Sequence, residues 1–402
     1  MPIARRTVLC LGLSQLTCWG ISYYLIGGFG DLIIADLGWS RSVVHGGFSA
    51  ALVVMGLVSP LAGRCIDRYG GRPIMVAGSV VSAVGCAGLG MAHNLTAYYG
   101  AWLCLGVAMR LTLYDAAFAA LARIGGVQAQ RPIAQITLLG GLASTVFWPV
   151  GHLLADAVGW RGALFAYAGF ALLTIPLHLA IPAVGGERAL APRTERPALA
   201  ASPRKRAVAA GLYALIATLA NFLNSGMSAH MIAILSGLGL AASAAVGIAS
   251  LRGIGQSLAR LGEVLFGGRL HPLTLNLGAT LLLPPSFAAG LLSGVFATAA
   301  IAFAFLYGAG NGILTITRGT MPLVLFDPRS YGSLVGRLLV PSFLCSAAAP
   351  LLYALVIERF GNAAALDLSL AAAGVTFAAA LALYLGFGRR GTSTAAETSA
   401  GP

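Results

Sequence analysis

The sequence predicts an all-α membrane protein with twelve transmembrane helices in two pseudo-symmetric six-helix bundles. Three observations lead there. Of its 402 residues, 58% are apolar and 9% charged, whereas a soluble chain carries about 25% charged residues. The apolar residues gather in runs of about 20, the length that crosses a ~30 Å hydrocarbon layer as a helix. The second half of the chain also repeats features of the first.

Taken in order, the runs are 7–30, 43–63, 73–92, 95–122, 132–155, 161–182, 207–235, 241–265, 273–291, 294–320, 332–355 and 364–387. They are continuous, not alternating. In lipid every backbone N–H and C=O must be satisfied within the protein, and continuous runs select helices over a barrel. The first run follows Arg5 and Arg6. It is too long for a signal-peptide core and shows no small-residue cleavage site, so it reads as a retained helix.

Charge sets the orientation. Seventeen of the 25 Lys and Arg residues fall in segments on the side of the N-terminus, and three (Arg41, Arg161 and Arg359) on the other. The remaining five (Arg110, Arg252, Arg260, Arg318 and Arg337) lie within runs. Such a bias places both termini in the cytoplasm. The net charge of +13 is spread over short loops near anionic headgroups. It is not gathered on one face, which argues against nucleic-acid binding.

Residues 183–206, with Glu187, Arg188, Pro192, Arg193, Glu195, Pro197, Pro203 and the triplet Arg204-Lys205-Arg206, read as a cytoplasmic linker. It divides a bundle over 1–182 from a second over 207–390, and 391–402 reads as a disordered tail. The bundles match at an offset of about 201 residues: Leu37-Gly38 and Ser42 with Leu238-Gly239 and Ser243, Gly106 with Gly308, Pro149 with Pro350, Gly159 with Gly361. Leu61-Ala62 before Gly70-Gly71-Arg72 answers Leu258-Ala259 before Gly267-Gly268-Arg269. Any one pair is unremarkable in an Ala/Gly/Leu-rich chain, but several in one register indicate duplication. Paired halves suit alternating access about a site near the bilayer midplane.

The charged segment between the second and third runs is Gly63-Arg-Cys-Ile-Asp67-Arg68-Tyr-Gly70-Gly71-Arg72. It reads as a short loop joining an antiparallel hairpin. Its pattern resembles the loop G-x-x-x-D-R-x-G-R-R of the major facilitator superfamily, departing at Gly71, where that pattern prefers Arg or Lys. The resemblance, with the topology, linker and duplication, implies a bacterial cytoplasmic (inner) membrane transporter with a cavity lined by spans one, four, seven and ten. It implies a monomer that moves a small-molecule solute, coupled to protons. Gly63 allows close helix approach, and Asp67 is placed to meet the positive N-terminal end of the eleventh helix near Tyr331, a contact of about 0.3–1 kcal/mol. Gly63, Asp67, Arg68, Gly70 and Arg72 are thus candidate gating residues. Glu263, at the corresponding end of span eight, is a weaker counterpart.

Charges within spans carry the functional reading. Arg110 and Arg252 lie mid-span, where insertion of such a charge costs roughly 2.5–3.5 kcal/mol, and each should face a cavity or a partner. Arg252, Gln256 and Arg260 form an i, i+4, i+8 stripe toward Glu263. An arginine in the eighth helix resembles the oxalate and monocarboxylate porters of the superfamily, in which such a cation receives a carboxylate; guanidinium suits a planar oxyanion. Structural pairing, for instance of Arg110 with Asp115, is the alternative. Trp19, Tyr23 and Tyr24 in span one, Tyr114 in span four, Asn221 and Asn224 in span seven and Asn311 in span ten are further solute-contact candidates. Each is equally able to bond a neighbouring helix. Asp115 is the intramembrane acid suited to proton coupling, since desolvation favours its neutral form. His152 and His230 are expected to bond locally, and Arg318 and Arg337 to snorkel toward the cytoplasmic surface.

The six cysteines (Cys10, Cys18, Cys65, Cys86, Cys104 and Cys345) form neither a disulfide framework nor a metal-ligand spacing. Walker, nucleophile-elbow and dinucleotide motifs are missing, which argues against an enzyme and against direct ATP drive; no cofactor is expected. The stretches Thr137-Leu-Leu-Gly140-Gly141-Leu-Ala-Ser144-Thr145-Val-Phe-Trp148-Pro149 and Tyr307-Gly308-Ala-Gly310-Asn311-Gly312 resemble a branch of the superfamily linked to arsenite efflux. Carboxylate transport is the first expectation and metalloid efflux the second. A membrane sensor or scaffold with the same fold is a third, of another class.

Overall fold

The computed structural model describes residues 3–183, 198–266 and 270–388. Most of the expected linker (Glu187 to Pro197), the second loop signature at Gly267-Gly268-Arg269 and the tail from Arg389 lie outside the described residues. Among the described residues the regular structure is helical throughout. The helices are α1 (Arg5–Cys18), α2 (Leu25–Leu37), α3 (Arg41–Tyr69), α4 (Gly71–Gly90), α5 (Leu95–Thr112), α6 (Tyr114–Gly125), α7 (Gln130–Gly140) and α8 (Ala143–Leu179). They continue as α9 (Pro203–Gly237), α10 (Ala242–Phe266), α11 (Pro272–Leu281), α12 (Leu283–Leu291), α13 (Ala297–Leu325), α14 (Tyr331–Leu338), α15 (Val340–Phe360) and α16 (Asn362–Phe387).

These helices carry the twelve expected spans, several of them broken. Among the described residues, eight helical stretches are long and apolar enough to cross a membrane, one of which, Leu95–Leu179, covers spans four to six. They account for ten spans. Spans eight and nine fall short for local reasons: α10 carries Arg252, Arg260 and Glu263, and span nine is divided at Leu282 into α11 and α12. Pro284 and Pro285, which lack N–H donors, follow that division.

The charged segment expected as a loop is helical through Tyr69, and Gly70 alone separates α3 from α4. Gly70 has φ 86°, a left-handed value that glycine adopts without steric cost. Gly159 turns the chain between spans five and six in the same way, at φ 72°. Helix α9 starts at Pro203, so the basic triplet belongs to its first turn, with Ser202 Oγ accepting from Lys205 N–H at 3.3 Å. Three cations there oppose the helix dipole; charge bias across the membrane outweighs that smaller term.

By contacts the chain forms two compact units, Met1–Thr194 with Pro328–Ala347, and Glu195–Asp327 with Ala348–Pro402. Each has an apolar exterior suited to lipid: Leu153 is 70% exposed in the first and Phe266 77% in the second. Within the second, Leu223, Met227, Ile234, Phe287, Phe303 and Tyr353 form the buried core.

The repeat is visible inside each unit. Gly38 and Gly239 are both left-handed, as are Gly159 and Gly361. A Cβ at Gly106 would overlap the Ala51 carbonyl, and one at Gly308 the Arg252 carbonyl. Ala51 and Arg252 are themselves 201 positions apart. The same helix pair is pressed together at the same depth of the repeat in each unit.

Nothing lies within 4 Å of a Cβ at Gly159 or Gly361, so substitution there tests backbone conformation alone. Gly159→Ala and Gly361→Ala are each expected to lower stability by about 1–2 kcal/mol, read as matched falls in thermal midpoint in detergent. A fall in only one would break their equivalence.

Candidate functional site

In the first unit, Asp67 closes the N-terminal end of α14. Its Oδ1 accepts from Gly332 N–H at 2.9 Å and its Oδ2 from Ser333 N–H at 2.6 Å. Two N–H groups that no helical carbonyl can reach are thereby satisfied, and the carboxylate faces the positive end of the helix dipole. Gly63 makes this possible, since a Cβ there would overlap the Gly332 carbonyl. Arg123, 7% exposed, donates to the Asp67 backbone carbonyl. Arg123 is one of the seventeen basic residues on the side of the N-terminus, and it has this local partner besides. Gly71 is explained as well: a side chain there would run into Ala120. Arg68 is exposed and Arg72 half-buried; Arg68 lies 5.3 Å from the Tyr69 ring centroid.

Arg110 lies deeper in the same unit and is 1% exposed. Its Nε donates to Ser59 Oγ at 2.8 Å and its Nη2 to the Ser59 carbonyl at 3.4 Å. Just beyond it the fourth span breaks at Leu113, whose extended backbone (ψ −174°) separates α5 from α6. The freed Thr112 carbonyl accepts from Gln15 Nε2 at 2.8 Å. Asp115 sits in the first turn of α6, 5% exposed.

Span one contains a π-helical turn, Trp19–Tyr23, between α1 and α2. Such turns mark functional positions more often than chance. The turn brings Trp19 within 4.8 Å of both Tyr23 and Tyr114, ring centre to ring centre. Tyr114 O–H donates to the Thr137 carbonyl at 3.2 Å. Trp148 Nε1–H donates to the Tyr24 carbonyl at 3.3 Å, anchoring the end of the π turn.

The second unit holds the most concentrated polar network. Arg252 Nη2 donates to Asn224 Oδ1 at 2.6 Å and to Ser228 Oγ at 3.0 Å. Its guanidinium lies 5.2 Å from the Tyr307 ring centroid, a cation–π distance. Asn311 Nδ2 donates to the same Asn224 Oδ1 at 2.8 Å. Arg252, Asn224 and Asn311, singled out separately from the sequence, therefore meet at one amide oxygen. Asn221 is one turn away on α9 and accepts from Arg318 at 3.3 Å. Arg260, 4% exposed, donates to Thr315 Oγ1 at 3.2 Å. Gln256 and Glu263 are half-buried and make no hydrogen bond among the described residues.

Ser228, Tyr307, Thr315 and Asn276 were missed from the sequence. A signal existed for three of them. Ser228 lies four residues after Asn224, and Tyr307 and Thr315 lie four residues either side of Asn311, so each shares a helix face with a residue already chosen. Arg318 was expected to snorkel but reaches α9. Among the described residues no three His, Cys, Asp or Glu side chains are grouped to hold a metal ion.

The family model of the Major Facilitator Superfamily matches residues 11–338. The chain belongs to that superfamily. Membership accords with the multi-pass helical architecture described above. It is 29% identical over 172 residues to the multidrug resistance protein MdtL of Klebsiella pneumoniae, covering 42% of this chain and 43% of that protein. It is 28% identical over 194 residues to monocarboxylate transporter 11 of Mus musculus, covering 46% and 43%. The chain thus spans less than half the length of the curated relatives it matches. The human organic anion transporter MFSD10 superposes with a TM-score of 0.70 at 19% identity, over 94% of this chain and all of that one. The proton:xylose symporter XylE superposes with 0.73 at 12% identity, over 94% of each. At these identities the likeness is one of fold.

Asp67→Ala removes the acceptor from two helix-end N–H groups. Amide exchange at Gly332 and Ser333 is expected to rise about 5–30-fold, the equivalent of a lost cap worth ~1–2 kcal/mol. Unchanged exchange there would show that solvent replaces the carboxylate at no cost.

Proposed function

We propose that this superfamily member carries a small carboxylate solute across the bacterial inner membrane, with both termini cytoplasmic, and that Arg252 holds the carboxylate. The observation that supports this is the environment of Arg252. It lies within a transmembrane helix, yet its guanidinium is met by an amide oxygen, a hydroxyl and an aromatic face, and by no carboxylate among the described residues. Neutral acceptors solvate the cation but leave its full charge in a medium of low dielectric. An incoming carboxylate removes that penalty and adds charge-assisted hydrogen bonds, about twice as strong as neutral ones. Because guanidinium stays protonated at all relevant pH values, the site discriminates by solute charge.

Asn224 and Asn311 position the guanidinium, and Gln256 extends the same face. On the first unit, Trp19, Tyr23 and Tyr114 are proposed as aromatic solute contacts around the π turn. Arg110, enclosed at Ser59, offers a solute no open face, and we assign it a structural part. Asp115 is the proposed proton carrier. Gly63, Asp67 and Gly70, with Arg68 and Arg72 flanking, are proposed to form a releasable gate, because a charge–dipole contact of about 0.3–1 kcal/mol can be broken in every cycle. The protein is proposed to work as a monomer. A relative named for monocarboxylates supports an anionic solute.

Proteoliposomes given a pH gradient and labelled lactate test the reading. Arg252→Ala is expected to weaken lactate binding and uptake by about 10–100-fold, the loss of hydrogen bonds to a charged group, with Arg252→Lys between. Asp115→Asn is expected to abolish gradient-driven accumulation while sparing lactate exchange. Wild-type lactate kinetics in Arg252→Ala would overturn the assignment.

A further inference from the structure

Arg318, like Arg252, directs its guanidinium at the polar face of α9. Arg318, eleven residues from Tyr307 along α13, sends Nη1 to Asn221 Oδ1 at 3.3 Å. A snorkelling arginine would run along its own helix toward the headgroups; this one crosses to a neighbouring helix. Its backbone is held there as well, because Tyr213 O–H donates to the Arg318 carbonyl at 2.9 Å. Asn221 and Asn224 stand at i and i+3, on adjoining positions of one helix face, with a rise between them of about 4.5 Å. Each carries one guanidinium group.

Beside Arg318 lies a cavity of about 20 Å3, lined by Tyr213, Asn221, Asn276, Asn311, Thr315 and Arg318 among others, none of them acidic. That space admits a group on the scale of one or two waters, which a carboxylate end can displace. Asn276 is 1% exposed, and its Oδ1 accepts from Thr317 at 3.1 Å. Its amide hydrogens are the donors left for a ligand. Asn311 joins the two regions: it lines the cavity and bonds the Asn224 oxygen that also receives Arg252.

We propose that Arg318, Asn221, Asn276 and this cavity form a second anion subsite one turn along α9 from Asn224, the partner of Arg252, so that the preferred solute is a short dicarboxylate. This rests on the carboxylate reading above and narrows it. The ~4.5 Å rise between the two asparagines is close to the span of three carbon–carbon bonds, the separation of the acid groups in an extended four-carbon diacid. One acid group pairs with Arg252 and the other with Arg318, with the Asn311 amide between them.

The test is competition between labelled succinate and lactate on the full-length protein in proteoliposomes, comparing wild type, Arg318→Gln, Arg318→Lys and Arg252→Gln. Thermal unfolding of each variant checks that it is folded. Wild type is expected to prefer succinate. Arg318→Gln is expected to lose about tenfold or more in succinate affinity with lactate affinity within about twofold, Arg318→Lys to recover part of the loss, and Arg252→Gln to weaken both solutes. An unchanged succinate-to-lactate ratio in folded Arg318→Gln, with Arg252→Gln still impaired for lactate, overturns the second subsite and leaves the carboxylate reading standing. Unimpaired lactate affinity in Arg252→Gln overturns both.

Discussion

A guanidinium group inside an apolar bundle must be solvated by something, and the architecture of the second unit follows from how that is done for Arg252. Within an apolar bundle, oxygens must come to the charge. Asn224 and Ser228, one turn apart on α9, supply two of them, and α13 supplies the Tyr307 ring. Close approach of α13 depends on Gly308, whose missing side chain leaves room for the Arg252 carbonyl. A larger residue there would push Tyr307 and Asn311 away from the cation together. The arrangement leaves the charge hydrogen-bonded but, among the described residues, not paired with a carboxylate, unlike a structural salt bridge.

The two units share the packing at this position but not the charge. In the first unit the position equivalent to Arg252 is Ala51, and Gly106 packs against its carbonyl as Gly308 does against that of Arg252. The packing is common to both copies, while the charge belongs to one. Deeper in each unit the copies differ in another way. Arg110 on α5 donates to Ser59 on α3. The equivalents of these two positions are Gly312 and Arg260, and there Arg260 on α10 donates to the Gly312 carbonyl on α13 at 3.4 Å. The cation has changed helices and still fills the same place between them. A buried donor at that point thus holds the helix pair together, whichever helix carries it.

Irregular backbone recurs where the polar chemistry lies. The π turn at Trp19–Tyr23, the extended residue Leu113 and the division at Leu282 each interrupt a span. An interruption frees backbone carbonyls that lipid cannot satisfy, and such breaks persist only where the protein supplies donors. Gln15 does so for Thr112 and Trp148 for Tyr24. Side chains far apart in sequence are thereby recruited to the breaks, and the aromatic cluster around Trp19 is drawn toward Tyr114.

Local rules made much of this readable in advance. Run length and charge are legible along the chain, so the spans followed from them; the superfamily was indicated by the resemblance of the segment Gly63 to Arg72 together with topology, linker and duplication, and Asp67 could be matched to the helix starting near Tyr331 because helix ends attract anions wherever they occur. Arg252, Asn224 and Asn311 could be chosen one at a time, since a polar residue in an apolar run is conspicuous. Their meeting at one amide oxygen could not be foreseen, nor could the reach of Arg318 to Asn221 or the enclosure of Arg110 by Ser59. Those depend on the rotation and spacing of neighbouring helices, set by glycines such as Gly106 and Gly308 packing against partners that no local pattern identifies. The sequence by itself determined which segments enter the membrane and which charges enter with them. Tertiary packing alone decided which of those charges are enclosed and which meet neutral polar partners on a neighbouring helix, because that depends on how the helices are rotated and spaced.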